Sequence, residues 1–142
     1  MATVELRFSA LPEHVRTARL VAAAVARRAG VDEAVLDEVR LAVGEACTRA
    51  VGLHLSNGVE APVRVILTEE EKKFSIEVGD ESPTSAALAP GSHPEADEEA
   101  EGEDEMGLAV ISGLVDDVEV TTSETGGVIR MSWPTAPQPL VS

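Results

Sequence analysis

The chain has 142 residues, 44% of them hydrophobic, and a formal net charge of −15. That is one domain's length with enough apolar material for a core, and no apolar run is long enough to cross a membrane. The negative charge opposes binding to nucleic acid or anionic lipid, which needs a basic face to release counterions. A lone cysteine, Cys47, excludes an internal disulfide framework, and no basic segment leads into an apolar signal core. These features together predict a cytoplasmic location.

In chain order, Val4, Leu6 and Phe8 alternate with Glu5 and Arg7 and predict a short half-buried strand. Pro12 opens a helix where its missing N–H costs nothing. Val15, Ala18, Val21, Ala22, Val25 and Ala29 form its stripe, and Gly30 ends it. Asp32 is placed to cap a second helix, with a stripe of Val35, Leu36, Val39, Ala42, Val43, Ala46 and Ala50 that runs to about Leu53. Ser56-Asn57-Gly58 reads as a turn. Val63, Val65 and Leu67 predict a strand, residues 69–72 a hairpin tip, and Phe74, Ile76 and Val78 the returning strand.

Residues 81–105 read as a long acidic insertion. Eight acids and no base stand between Glu95 and Glu105, flanked by Ser82-Pro83 and Pro90-Gly91. A short apolar helix is expected over 106–115. Val118 and Val120 then begin a strand, Gly126-Gly127 turns, and 128–133 close the domain. The segment 134–142 carries Pro134, Pro137 and Pro139 and is expected to be a disordered tail. The order predicts an α/β two-layer sandwich of helices on a mainly antiparallel sheet, one domain over 1–133.

Three elements carry candidate chemistry. Glu45 sits mid-helix in Gly44-Glu45-Ala46-Cys47-Thr48-Arg49-Ala50, with Arg49 one turn on, where the two can pair. Asp80 ends an apolar strand, as a turn former or as a buried acceptor for an amino group. Gly107-Leu108 opens a helix after the insertion, a place where free N–H groups can face an anion. His14, His54 and His93 have no ligand spacing, so no metal site is assigned. Cys47, Trp133 and the two phenylalanines read as core.

Together with Ile111, Leu114, Asp116 and Gly126-Gly127, these elements in this order resemble the GHKL (histidine-kinase-like) ATPase superfamily with its Bergerat fold. Within it, they are most similar to the anti-sigma-factor serine kinases of bacterial partner switches. The resemblance implies that Glu45 takes the base position, Asp80 the adenine-reading position, and Gly107 and Leu108 part of the nucleotide lid. It also implies a homodimer built on the N-terminal strand and first helix.

The departures matter as much. Arg49 stands where the family has the Asn that holds Mg²⁺, and a guanidinium has no acceptor atom for a hard cation. Arg49 is expected to pair with Glu45 instead. The glycine after Asp80 is missing, Glu105 replaces a lid glycine, and Val128 replaces a hydroxyl residue. The acidic segment adds like charge where phosphates would sit. The leading expectation is a regulatory protein that binds a sigma factor or a STAS-domain anti-sigma antagonist, with no cofactor and a degenerate ATP site. The competing one is an active ATP- and Mg²⁺-dependent serine kinase of that antagonist.

Overall fold

A computed structural model describes residues 2–82, 110–115, 117–123 and 125–135. The strands are β1 (Ala2–Phe8), β2 (Val63–Glu69), β3 (Lys73–Asp80), β4 (Asp117–Ser123) and β5 (Gly126–Pro134). Two long helices, α1 (Pro12–Ala29) and α2 (Leu36–Asn57), lie between β1 and β2 in sequence. The five strands form one sheet in the order β1-β2-β3-β5-β4, with every pairing antiparallel. This is the two-layer arrangement expected from the sequence.

Alternation decides which face of the sheet is covered. Val63, Val65 and Leu67 on β2, Phe74, Ile76 and Val78 on β3, and Ile129, Met131 and Trp133 on β5 are all buried. Their intervening neighbours Arg64, Glu77 and Arg130 stand on the other face, where Arg130 Nε lies 4.0 Å from Glu77 Oε1. α2 buries Leu36, Val39, Val43 and Cys47 together with the small residues Ala42, Ala46 and Ala50, and α1 adds Ala18, Ala22 and Ala26 to the same core. Alanine loses no side-chain entropy on burial, so these positions order cheaply.

Helix boundaries follow local chemistry. Asp32 does not cap α2 directly: its carboxylate accepts the Ala34 N–H at 2.9 Å and starts a 3-10 turn (Glu33–Val35) that feeds α2 at Leu36. α2 also runs a full turn beyond Leu53. Asn57 donates its side-chain amide to the Leu53 carbonyl at 2.8 Å, and Gly58, at φ +63°, takes the left-handed cap that ends the helix. So two residues of the expected turn are the last helical residues.

Two residues of the insertion expected at 81–105 fall among the described residues. Glu81 and Ser82 are held by hydrogen bonds to the body of the domain, while 83–105 lies outside the described residues. Of the helix expected over 106–115, residues 110–114 are helical, with Ile111 fully buried. Gly107, Leu108 and Asp116 lie outside the described residues. Pro134 still belongs to β5 and the Thr135 N–H reaches the Lys72 carbonyl at 3.1 Å, so the ordered chain extends past the expected limit at 133. Among the described residues, no helix is long and apolar enough to cross a membrane.

Candidate functional site

The C-terminal half of α2 packs on β3 near its end, bringing together residues far apart in sequence. Asp80 is the last residue of β3 and pairs with Gly127 of β5. Its side chain is 5% exposed and points toward α2, where Arg49 Nη1 lies 3.9 Å from Oδ2. Arg49 is itself 12% exposed, and its Nε is buried with no hydrogen-bond partner.

This corrects the expected Glu45–Arg49 pair. Among the described residues Glu45 makes no ion pair, although it sits one turn before Arg49 on a half-buried stretch of α2. The reason is dielectric. A carboxylate held in the low-dielectric gap between helix and sheet attracts a guanidinium more strongly than a half-solvated one on the same helix. Arg49 therefore turns inward.

The acid is sealed from several sides. Its Oδ1 accepts the Ser82 N–H at 2.9 Å. Burial pushes the Asp80 carboxyl up from its ordinary value, opposed chiefly by the Ser82 N–H and the charge of Arg49. The glycine pair explains how β5 comes so close. A Cβ on Gly127 would sit 3.2 Å from Asp80 Oδ2. One on Gly126, at φ +150°, would sit 2.9 Å from the Glu81 Cα and closer still to the Asp80 carbonyl oxygen. No side chain fits there.

His54 is the residue that sequence reasoning missed. It is fully buried one turn after Ala50. Its Nδ1 lies 2.9 Å from the Ala61 carbonyl, and its Nε2 accepts the Glu81 N–H at 2.9 Å. A carbonyl only accepts and an N–H only donates, so this geometry assigns the neutral ring with its proton on Nδ1. Asn57 adds a second tie, donating to Ser82 Oγ at 2.9 Å. The signal was present: His54 continues the buried stripe of Val39, Val43, Ala46 and Ala50 at helical spacing.

A nucleotide with its Mg²⁺ does not fit these residues. Arg49, at the position the resemblance assigns to the cation's oxygen ligand, presents a guanidinium with a buried Nε, which offers a cation no acceptor. Of the Asp80 oxygens, Oδ1 already accepts the Ser82 N–H and Oδ2 faces the Arg49 charge at 3.9 Å. Among the described residues, no three carboxylate, imidazole or thiol groups come together as a metal cluster. Cys47 is buried on α2 with its thiol pushed up to about 12, so it is protonated at neutral pH.

Residues 8–133 match the histidine kinase-like ATPase domain family (HATPase_c_2). The chain is 30% identical over 141 residues to the serine-protein kinase RsbW of Halalkalibacterium halodurans, covering 92% of this chain and 82% of that protein. It is 29% identical over 140 residues to RsbW of Oceanobacillus iheyensis, covering 91% and 84%. The solved RsbU and RsbW domains of a Mycobacterium tuberculosis protein superpose with a TM-score of 0.67 at 15% identity, covering all of this chain and 35% of that one.

Proposed function

We propose, from the premise that this chain belongs to the histidine kinase-like ATPase family and to its RsbW-like anti-sigma-factor kinase branch, that it regulates by binding proteins in a partner switch without using ATP. The partners are a sigma factor, a STAS-domain anti-sigma antagonist, or both in alternation, and the working form is a homodimer. The observation that supports this reading is the Arg49–Asp80 pair, which sets a cation against the acid that the resemblance assigns to adenine. β1 is an edge strand of the sheet, and the family resemblance puts the dimer contact on β1 and α1.

One feature of the site favours the second reading, an ATP-dependent serine kinase of the STAS-domain partner. Glu45 keeps a carboxylate outside any ion pair among the described residues, at the position the resemblance assigns to a general base.

The two readings separate in a binding experiment. The full chain, stripped of nucleotide and metal with EDTA, is titrated with the sigma factor and STAS-domain protein of its own cell. The proposal expects a stable complex whose affinity is the same with and without ATP and Mg²⁺. Partner binding that requires ATP, or phosphate transfer to the STAS-domain protein, overturns it.

A further inference from the structure

The chain has one asparagine, Asn57, and a glycine follows it. A glycine leaves the space beside the preceding carboxamide open, so its backbone nitrogen can approach the side-chain carbon Cγ. The pair stands at a joint in the fold. Asn57 is the last residue of α2, and its Nδ2 donates to the Leu53 carbonyl at 2.8 Å and to Ser82 Oγ at 2.9 Å. Ser82 in turn gives its backbone N–H to Asp80 Oδ1. One carboxamide therefore clasps the end of the helix to the chain leaving β3.

While the last turn of α2 is closed, the pair is held unreactive. The Gly58 N–H is bonded to the His54 carbonyl, so its nitrogen keeps its proton. The helical backbone at Asn57 also keeps ψ away from the range that a five-membered ring through Cα, Cβ, Cγ and the peptide bond requires. That turn is lightly covered, however: Leu55, Ser56, Asn57 and Gly58 are all exposed. A helix end of this kind opens locally at a fraction of the free energy of global unfolding.

From this arrangement we propose that Asn57 is a site of spontaneous deamidation, reached only when the last turn of α2 opens, and that the product cannot restore the clasp. In the open turn the deprotonated Gly58 nitrogen attacks Asn57 Cγ. The N–Cγ bond forms, the Cγ–Nδ2 bond breaks, and ammonia leaves with the proton that the Gly58 nitrogen gave up. Water then opens the resulting succinimide at either carbonyl and leaves aspartate or isoaspartate at position 57. A carboxylate has no proton to donate, so one of its oxygens would face the Leu53 carbonyl where an N–H stood. It would also stand at the negative end of the α2 dipole. The modification thus releases the chain leaving β3 from α2 in one direction only.

The full chain is incubated folded, and separately in urea above its unfolding transition, at one mildly alkaline pH and one temperature. Peptide mass spectrometry follows aspartate and isoaspartate at position 57. Conversion is expected in both samples, and about tenfold or more slower in the folded one. Ser82→Ala, which removes one acceptor of the carboxamide, is expected to speed conversion of the folded chain about threefold. Asn57→Asp copies one product at an exposed position, and is expected to speed amide exchange at Ser82 about fivefold or more. No conversion in urea, equal rates in the two samples, Ser82→Ala converting at the parent rate, or parent-like exchange at Ser82 in Asn57→Asp overturns the proposal.

Discussion

Replacing Arg49 by Met removes the charge that faces Asp80 while keeping a long apolar stem in the gap. At 3.9 Å and an effective dielectric of about 20, the lost attraction is about 4 kcal/mol. Against this, the variant no longer buries an Nε without a partner, a relief of about 1 kcal/mol. The net loss expected for Arg49→Met is about 3 kcal/mol, in line with breaking a buried pair from one side. Asp80→Asn keeps an acceptor for the Ser82 N–H and removes the charge, so the double variant is expected to recover about 2 kcal/mol relative to the sum of the single ones. Urea unfolding followed by Trp133 fluorescence measures all four proteins, because that ring is 4% exposed when folded. The same pair gives a pH sign. Burial raises the Asp80 carboxyl above its unfolded value, so its ionised form costs stability, and the cost is relieved as pH falls through the folded value. Without Arg49 the carboxyl rises further, so the deficit of Arg49→Met is expected to shrink as pH falls from neutrality toward the ordinary carboxylate range. Additive single effects, or a deficit that is the same at both ends of that window, would refute the reasoning.

Gly126→Ala forces a Cβ against the Asp80 carbonyl at a left-handed φ, and should cost about 3 kcal/mol or more in the same unfolding assay. A loss under 1 kcal/mol would mean β5 can move away from β3. His54→Ala cuts the tie from α2 to both Ala61 and Glu81. It should cost about 3 kcal/mol and speed amide exchange at Glu81, and slow exchange there would show that the tie is dispensable. Cys47 is expected to react with a thiol reagent only on global unfolding, since its thiol is pushed up to about 12, and rapid labelling of the folded protein contradicts this.

Much of the fold was legible because burial follows short-range patterns. Val63, Val65 and Leu67 alternate on β2, and Val39, Val43, Ala46 and Ala50 repeat along α2, so each element declares which face it buries. Boundaries were less legible where one side chain decides them: the Asp32 bond made a 3-10 turn before α2, and Asn57 and Gly58 carried α2 a turn past Leu53. In the site, Glu45, Arg49 and Asp80 could be picked out one by one, but the partner of Arg49 could not. Spacing on one helix favours Glu45, whereas the choice of Asp80 depends on how β3 ends beneath α2. His54 was hidden for a related reason. Its two bonds join segments seven and 27 residues away, and nothing local marks a histidine that will bridge them.

Isothermal titration of ATP into the metal-stripped chain, with and without Mg²⁺, addresses the central claim most directly. No saturable heat is expected below about 1 mM in either condition, because on the proposed reading Arg49 stands at the cation-ligand position and pairs with the acid assigned to the base. Magnesium-dependent binding in the micromolar range by the unaltered chain would contradict it.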